Sequence, residues 1–532
     1  TRADVAKTIY YRRRKGTLPM LEELARDVTG WPAHAVEFFR TLAWQQNLNH
    51  LRPQAPGTVD LRDPEAVARV HGPFDPWTHT VDVRAPARAE GWHGVPGVGF
   101  FLWRLRSHAL EGVTARQGDE PWQYAFSPLG NKAPLFNAWR REGDEAGLAT
   151  EHHVPGPLRR ESFHRDLEAY GAAPPPRPPW AALYARLDQQ GSLHVSRNGT
   201  AVHPALDPAA PPELYEPRVL CRRLDPWPAA APSGPVLAVD VEAGRIAVGD
   251  GWPDATERIE VACHHGFPAD LGGGPYERGK WLVDPELPAL RLYVQQGAAG
   301  PDRFPTLGGA LTTWIDRGRP DAVITMLDNG SYGGPLDLEL EDASWLVIEA
   351  ADGVRPHLRP DGGEIRIGGN HPDSALTLSG LLVEGGVHVA GDTGTLRLLH
   401  TTLVPGRGLE ADGAPASAEP SVRVAAVDGA GDPVNTDFRL QIAFSIVGPL
   451  RVPATARGLW ILDSIVDGLG GAGVADPDAV DAPGPTATLE RSTLLGPCRL
   501  RRLELATEVL FTGEVRVDQR HEGCVRFSYV PP

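Results

Sequence analysis

The second half of the chain, residues 304–532, repeats a short pattern of alternating apolar residues, a small polar turn, further aliphatic residues and a glycine. The copies are SGLLVEG (379–385), HTTLVPG (400–406), AFSIVG (443–448), LDSIVDG (462–468) and RSTLLG (491–496). A unit this short cannot bury its own apolar face, so it must stack on its neighbours. The repetition therefore predicts a solenoid.

The spacing of apolar residues within each copy is that of β-strands. In LTLSGLLVEGGVHVAG (376–391) they recur at every second position, and the alternation restarts at Ser379-Gly380 and at Gly385-Gly386. Short strands separated by corners, with Gly, Asn or Asp where the backbone needs positive φ, are typical of a right-handed parallel β-helix. We predict two or three strands per coil, and loops at 406–433 and 468–485, which are rich in Gly, Ala, Asp and Pro.

The start of the solenoid carries a helical pattern. Leu307, Ala310, Leu311, Trp314 and Ile315 form an amphipathic stripe, and three predicted strands follow at 322–327, 336–340 and 345–350. A helix here would cover the apolar end of the first coil. The last residues, CVRFSYVPP, are strand-like without a comparable cap, so we expect the natural chain to continue. Thr1 in place of Met indicates that residues are also missing at the start.

Four regions precede the solenoid. Residues 1–52 are predicted to be a helical block, with apolar stripes at 18–28 and 35–43 separated by Gly30-Trp31-Pro32. Residues 53–170 form a β-rich module with the strand-like segments TVDLRD, HTVDVR, VGFFLWRLR and YAFSPLG, and 171–180 is a proline-rich linker. Residues 181–303 form a second β-containing module, with PVLAVDVEAGRIAV and RIEVACHHGF. The predicted fold class is mainly β, ending in the β-helix of residues 304–532.

Composition excludes several classes of function. The net charge of −16 and the isoelectric point near 5.6 oppose nucleic acid as a partner. The sequence contains no run of 18 apolar residues, the length that a membrane-spanning helix would need. The four cysteines contain no CxxC pair, which favours free thiols in a reducing cytoplasm. Cys263, His264 and His265 are consecutive on a predicted strand, where adjacent side chains point to opposite faces, so we predict no metal there, and no cofactor elsewhere.

Motifs for catalysis are absent or weak. The sequence has no GxSxG and no GxxxxGK[ST], and GVPGVGF (94–100) lacks the flanking strand and helix of a dinucleotide loop. The strongest enzymatic alternative is a polysaccharide hydrolase or lyase that uses carboxylates on the β-helix exterior. The candidates are Asp328, Asp337, Glu339, Glu341, Asp342 and Asp352. In an acidic protein such residues usually face solvent or cap turns, so we predict no catalytic residue.

One segment resembles a known family. DVAKTIYYRRRKGTLPMLEELARDVTGWPAHAVEFF (4–39) resembles the segment that ends the conserved N-terminal part of the phage tail protein I family, a baseplate-wedge component of contractile tails. Together with TVDLRD, HTVDVR, VGFFLWRLR, FSPLGN (126–131) and EGCVRFSYVP, the chain is similar to large wedge proteins of bacterial contractile injection systems. It departs from them in lacking the helical region ahead of Asp4.

The resemblance implies a structural, non-enzymatic subunit that links the hub and sheath to the baseplate periphery. It implies wedge, hub and sheath subunits as partners, six copies around the particle axis, and assembly in the bacterial cytoplasm, with release of the particle left open. The opposing hypothesis is a tailspike-like β-helix that binds or cleaves a surface polysaccharide. A glycan site needs aromatic residues stacked in a groove beside paired carboxylates, and this β-helix has few aromatics, chiefly Trp345, Phe438, Phe444 and Trp460.

The candidate interface residues lie in the family-like segment. They are Arg12, Arg13, Arg14, Lys15, Trp31, Phe38, Phe39 and Trp44. The four cations are either a solvated helix start or a contact for an acidic groove of a partner, since arginine makes directional contacts with carboxylates. The aromatic residues are either core of the helical block or docking surface.

Overall fold

The computed structural model describes residues 2–43, 61–84, 91–139, 148–173, 181–202, 218–249, 258–410, 415–416 and 419–532. These residues form two compact units. The N-terminal unit comprises Thr1–Ala109 and Gln117–Ala269, and the solenoid unit comprises Leu110–Arg116 and Asp270–Pro532. With 39% strand and 13% helix the protein is mainly β, as predicted. The module boundaries drawn from sequence stay predictions, and linker residues 174–180 lie outside the described residues.

Ahead of residue 270, the described residues form short helices and three small sheets, two of whose strands include residues of the segment 110–116 that belongs to the solenoid unit. The helices are α1 (Arg2–Arg13), α2 (Leu18–Thr29), α3 (Pro64–Ala68) and α4 (Arg160–Ala172). The strands are β1 (Ala33–Glu37), β2 (Val98–Leu102), β3 (Arg106–Thr114), β4 (Arg116–Gln117), β5 (Gln123–Ala125), β6 (Leu193–Arg197), β7 (Thr200–Ala201), β8 (Arg218–Cys221), β9 (Val236–Asp240), β10 (Arg245–Val248) and β11 (Ile259–Phe267). The sheets have the orders β1-β2, β4-β5-β10-β9-β8 and β3-β11-β6-β7.

The first predicted helical stripe is confirmed as α2, but the second is wrong. Gly30 ends α2 in the left-handed conformation (φ 75°). Residues 33–37 are strand β1, which pairs antiparallel with β2 in the register Ala35↔Phe100, and Phe38–Thr41 is a 3₁₀ turn. An apolar pattern of this length fits the period of a helix or that of a strand. Pairing with β2, which is distant in sequence, makes residues 33–37 a strand.

The strand predictions in this unit have mixed outcomes. VGFFLWRLR forms β2 and the first residue of β3, Tyr124 and Ala125 of YAFSPLG end β5, and the two later segments form β9, β10 and β11. HTVDVR (79–84) is not a strand, since it contributes the isolated bridge Leu42↔His79. TVDLRD begins outside the described residues, and its described residues form no strand.

The solenoid unit is a parallel β-helix with one helix, α5 (Leu307–Asp316), among its described residues. Its strands are β12 (Leu290–Val294), β13 (Arg303–Phe304), β14 (Ala322–Met326), β15 (Ser331–Gly334), β16 (Asp337–Leu340), β17 (Trp345–Ala350), β18 (His357–Pro360), β19 (Glu364–Ser379), β20 (Leu382–Glu384), β21 (Gly386–Val389), β22 (Asp392–Leu399), β23 (Thr402–Val404), β24 (Val422–Val424), β25 (Arg439–Ala443), β26 (Ile446–Val447), β27 (Leu450–Arg451), β28 (Gly458–Leu462), β29 (Ile465–Asp467), β30 (Val474–Ala475), β31 (Gly484–Glu490), β32 (Thr493–Leu495), β33 (Cys498–Thr507), β34 (Leu510–Phe511), β35 (Val515–Val517) and β36 (Cys524–Arg526).

Each complete coil contributes three strands, one to each of three parallel faces. The first face runs through β14, β17, the end of β19, β22, β25, β28, β31, the end of β33 and β36. The second face runs from β15 through β18, β20, β23, β26, β29 and β32 to β34. The third face holds β16, the start of β19, β21, β24, β27, β30, the start of β33 and β35. Inward aliphatic side chains align from coil to coil, as in the ladder Leu376, Leu396, Leu440 and Leu459, and form one continuous core.

The corner between the first and second faces repeats the same geometry. A residue with positive φ follows the first-face strand, and in most coils the next residue is Ser or Thr. These positive-φ residues, here called the corner column, are Gly380, His400, Phe444, Asp463, Arg491, Glu508 and Phe527. The N–H of Ser445 donates to Oγ of Ser464 (3.0 Å), and the N–H of Ser464 donates to Oγ of Ser492 (3.2 Å).

The prediction that these corners would hold Gly, Asn or Asp is therefore wrong for most of the column. Seven column residues include one glycine and one aspartate. The left-handed conformation costs a residue with a Cβ about 1–2 kcal/mol. The hydroxyl ladder and the stacking of side chains along the column offset that cost.

The predicted helix before the first coil is confirmed as α5. Leu307, Ala310, Leu311 and Trp314 are buried in the solenoid core, whereas Ile315 is exposed. Thr306 caps the helix by accepting the N–H of Gly309 (3.2 Å). Parallel pairing starts at β12, before residue 304, because β12 pairs with β14. The predicted loops at 406–433 and 468–485 are each interrupted by a third-face strand, β24 and β30.

Candidate functional sites

Helix α1 is fixed to α2 by polar contacts on one side. The ammonium of Lys7 lies 2.8 Å from a carboxylate oxygen of Glu23 and 2.9 Å from one of Asp27. Tyr11 is buried, and its hydroxyl donates to Asp27. Positions 7 and 11 are four residues apart, so they share the face of α1 that meets α2.

The opposite face of α1 combines apolar and cationic side chains. Val5 is 74% exposed and Ile9 is 70% exposed, and Arg12 and Arg13 are exposed in the last turn. Residues 5, 9, 12 and 13 share one helix face by their spacing. The four cations thus end a helix and do not start one, and cations at this end interact favourably with the helix dipole. We call residues 5, 9, 12 and 13 the outer face of α1.

The other candidate interface residues differ in their surroundings. Arg14 donates to the hydroxyl of Tyr10 (2.6 Å), and Lys15 is exposed in the turn after α1. Phe38 is buried, with its ring 5.9 Å from that of Trp92, so it serves the core. Trp31 is half-buried, Phe39 is exposed, and Trp44 lies outside the described residues.

A buried carboxylate joins three segments of the N-terminal unit. Glu22 accepts hydrogen bonds from Nδ1 of His34 (3.0 Å), the N–H of Ala35 (2.8 Å) and the N–H of Ala149 (2.8 Å). Burial by itself would raise the pKa of Glu22, but these hydrogen bonds outweigh burial and lower the pKa below its ordinary value. All its oxygens are engaged by the protein, so Glu22 has a structural role.

The first face of the solenoid unit carries a groove of about 330 Å³. Outward residues of three successive coils form its floor in the rows Val347–Thr377–Arg397 and Glu349–Ser379–Leu399. Trp345 closes one side. Trp281, Val283 and Leu287, from residues 270–288 ahead of β12, complete the wall. We call this the tryptophan groove.

The polar groups of the tryptophan groove are few. Glu349 is buried, and its carboxylate accepts the N–H of Val283 (3.1 Å). Burial raises the pKa of Glu349 above its ordinary value. The buried hydroxyl of Ser379 has no hydrogen-bond partner in the part of the chain that the structure describes, and Arg397 is exposed at the rim. A single carboxylate beside two indole rings suits recognition of a ring-shaped polar ligand better than acid–base hydrolysis, which uses two carboxylates.

The six carboxylates named from sequence do not line this groove. Asp328 stabilises a turn by accepting the N–H groups of Gln296 (2.8 Å) and Gly330 (2.9 Å), and Asp352 accepts the N–H of Arg278. Glu341 pairs with Arg319 (2.9 Å). Asp337, Glu339 and Asp342 are exposed on or beside β16. Sequence reasoning missed Glu349 and Trp281, because only the coil register brings them together.

A partly buried ion network lies on the second face. Glu384 lies 2.9 Å from a guanidinium nitrogen of Arg116, 2.7 Å from one of Arg407 and 3.4 Å from Nε2 of His357. Burial opposes ionisation of Glu384, but His357 and the two arginines outweigh it and lower its pKa to about 2. This network attaches residues 110–116 to the coils and uses its carboxylate fully.

None of the four cysteines forms a disulfide bond, and all four lie in strands. Burial raises the pKa of Cys221 and of Cys498 to about 12, so neither forms a thiolate at neutral pH. A histidine trio that the sequence did not indicate lies elsewhere in the N-terminal unit: ring nitrogens of His71, His79 and His93 lie within 4.8 Å of one another.

Comparison with known proteins gives no identification: no family model, no curated protein and no solved structure matches the chain. Within the described ranges, no helix has the length and apolar character that crossing a membrane requires.

Proposed function

We propose that the chain is a structural wedge subunit in the baseplate of a contractile phage tail-like particle. The observation that carries the proposal is the outer face of α1, where two large aliphatic side chains are exposed beside two arginines. This surface lies inside the segment that resembles the phage tail protein I family. Buried aliphatic anchors with a rim of arginines are typical of protein interfaces.

The two units supply different properties to such a subunit. The outer face of α1 offers Ile9 as an apolar anchor and Arg12 and Arg13 as donors to carboxylates of a neighbouring wedge or hub subunit. The continuous aliphatic ladders of the solenoid unit resist bending, because every coil is hydrogen-bonded to the next. A stiff solenoid together with a helix, α1, that can bind other subunits suits a subunit that connects hub and sheath to the baseplate periphery.

The first experiment is expression of the gene with its neighbouring genes, followed by purification of sedimentable particles and cryo-electron microscopy. We expect the chain in the baseplate with α1 packed against another subunit. A triple variant, Ile9→Asp with Arg12→Glu and Arg13→Glu, should remove the chain from the particles. The control reverses three exposed arginines of the solenoid unit, Arg501→Glu, Arg516→Glu and Arg520→Glu, and should leave incorporation unchanged.

Two outcomes would refute the wedge proposal. One is that the products of the neighbouring genes assemble into sedimentable particles that do not contain this chain. The other is equal incorporation of the α1 variant and the control, which would show that this face contacts no subunit.

A second function, binding of a surface polysaccharide by the tryptophan groove, is favoured by Trp281 and Trp345 flanking Glu349. Indole rings stack on sugar rings, and a carboxylate accepts hydroxyl hydrogen bonds. Binding of purified bacterial polysaccharides by the chain tests this, with Trp345→Ala expected to abolish binding. Trp460→Ala removes another outward-facing indole of the same face and serves as the control. Absence of binding, or equal loss in both variants, would exclude the groove as the site.

A further inference from the structure

We propose that His71, His79 and His93 form a binding site for a divalent transition-metal ion, with zinc as the best-suited ion. The site belongs to the N-terminal unit and depends on neither the wedge proposal nor the polysaccharide proposal. The three imidazoles each present one ring nitrogen, and these nitrogens lie within 4.8 Å of one another.

The backbone brings the three histidines together from separate segments. His71 lies in the turn after α3 with a positive φ of 59°. The N–H of His79 donates to the carbonyl of Thr41 (2.7 Å), and its carbonyl accepts the N–H of Ala43 (2.8 Å). The carbonyl of His93 accepts the N–H of Asp82 (2.8 Å). None of these contacts uses an imidazole, so the rings stay available as ligands.

Asp75 orients two of the three histidines. Its Oδ2 accepts a hydrogen bond from Nε2 of His79 (2.9 Å) and from the backbone N–H of His71 (2.8 Å), and its Oδ1 accepts the N–H of Trp77 (2.9 Å). A carboxylate on the distal nitrogen of an imidazole is the usual support of a metal-binding histidine. A proton held on Nε2 of His79 by this contact would leave Nδ1 unprotonated and able to coordinate.

His93 supplies an independent indication of a ligand. Its Nδ1 is buried, and none of the described residues forms a hydrogen bond to it. A buried nitrogen without a hydrogen-bond partner destabilises the folded chain, and coordination would satisfy it. The rings of His79 and His93 are stacked with their centroids 3.8 Å apart. They would need to rotate apart to place one nitrogen of each about 2.0–2.1 Å from the same ion.

The donor set selects the class of ion. Neutral imidazole suits zinc and its neighbours among the divalent transition metals, and hard cations such as magnesium prefer oxygen ligands. Exposed His71 gives the ion a route from solvent, and three protein ligands leave a fourth position for water. The bound ion would link the three segments that carry these histidines, which few backbone hydrogen bonds join. This link would stabilise this part of the unit.

The test uses the full chain without a polyhistidine tag, stripped with a chelator and then titrated with zinc sulphate. We expect one zinc per chain by elemental analysis and calorimetry, a higher midpoint of thermal unfolding with zinc, and a tetrahedral visible spectrum with cobalt. His79→Ala and His93→Ala should each abolish this binding, and Asp75→Asn should weaken it about 10- to 100-fold. His164→Gln, a change at an exposed histidine on α4, should have no effect.

Circular dichroism of the metal-free variants controls for misfolding, and a variant whose metal-free spectrum differs from the parent chain is replaced by His→Gln at the same position. The proposal fails if the parent chain binds no zinc. It fails equally if His79 and His93 variants that fold normally bind zinc as tightly as the parent, which would place the ion elsewhere.

Discussion

The solenoid unit and the N-terminal unit are stabilised in different ways. In the solenoid unit most coils use the same devices: an inward aliphatic ladder, a positive-φ corner and a hydroxyl that accepts an N–H from the previous coil. In the N-terminal unit single side chains join segments that are far apart in sequence, as Glu22 joins α2 to β1 and to Ala149. Repetition spreads stability over many equal contributions, whereas the irregular unit concentrates it in a few residues.

The largest loss of folding stability is expected at Gly380, a corner residue of the repeat that packs against the buried Arg278. A Cβ added at Gly380 would lie 1.4 Å from a guanidinium nitrogen of Arg278, which is 1% exposed and donates to the carbonyls of Ala351 and Val354 (both 2.9 Å). Because Arg278 cannot move away, Gly380→Ala should lower the free energy of unfolding by roughly 4 kcal/mol in urea titrations.

The matched control for this change is Gly297→Ala. Gly297 also has a left-handed backbone (φ +75°), but nothing lies within 4 Å of its added Cβ. That change should cost about 1 kcal/mol from backbone strain alone. Equal costs would show that strain, and not the buried guanidinium, limits the corner.

The next effect tests whether the N-terminal unit depends on single residues. Glu22→Gln presents an amide NH₂ to groups that now donate to a carboxylate, and should cost about 3 kcal/mol. Since the folded pKa of Glu22 is lowered, the carboxylate's contribution is present above the unfolded value near pH 4.3 and is lost as the pH falls below it. Urea titrations at pH 7 and pH 3 measure both effects.

Glu168→Gln serves as the control, because Glu168 is exposed on α4. It should leave the unfolding midpoint unchanged. A cost for Glu22→Gln no larger than that of Glu168→Gln would contradict the view that the irregular unit concentrates its stability.

A smaller effect tests the equality of the coils. Ser464→Ala and Ser492→Ala each remove the acceptor of a buried N–H, at 3.0 Å and 3.2 Å, and should each cost about 1–2 kcal/mol. Ser344→Ala removes a half-buried hydroxyl that donates to the carbonyl of Glu341 (2.7 Å), and should cost less. Hydrogen exchange of the two coils measures the loss of stability in each variant. Unequal losses for Ser464→Ala and Ser492→Ala would contradict the view that the repeats are equivalent.

The smallest effect at neutral pH concerns His400 in the corner column. Burial lowers the pKa of His400 from 6.5 to about 4, and its ring stacks on that of Phe444 at 4.8 Å. Between these pH values the unfolded chain binds the proton and the folded chain does not, so stability falls as the pH drops from 6.5 to 4. His400→Phe should remove this slope, with His521→Phe, an exposed position, as the control.

The same contrast explains what could be predicted from the sequence. The alternating pattern at Leu376 and Leu378 fixed the solenoid strands, because the ladder partner of each strand carries the same pattern. Strand β1 could not be recognised, because its partner β2 is a distant segment of unrelated pattern. The corner residues His400 and Arg491 were unexpected, since the hydroxyl that stabilises each corner belongs to the following residue: Thr401 donates to the carbonyl of Leu399, and Ser492 donates to the carbonyl of Glu490.

The candidate sites were predicted less completely than the fold. The exposure of Arg12 and Arg13 followed from their charge, but the adjacent Val5 and Ile9 on the same face depend on which side of α1 meets α2. The tryptophan groove and the histidine trio combine residues from separate segments. Their proximity depends on coil register in one case and on the fold of a loop in the other, and neither leaves a local pattern.

The serine ladder has a consequence for how this gene can change. Where neighbouring coils share this ladder, the contacts that close one coil are those that close the next, so an in-frame duplication or deletion of a whole coil preserves the serine junctions. The reach of the solenoid can therefore evolve in steps of one coil, about 4.8 Å each, without a new core. Length becomes a heritable variable that selection can adjust separately from sequence.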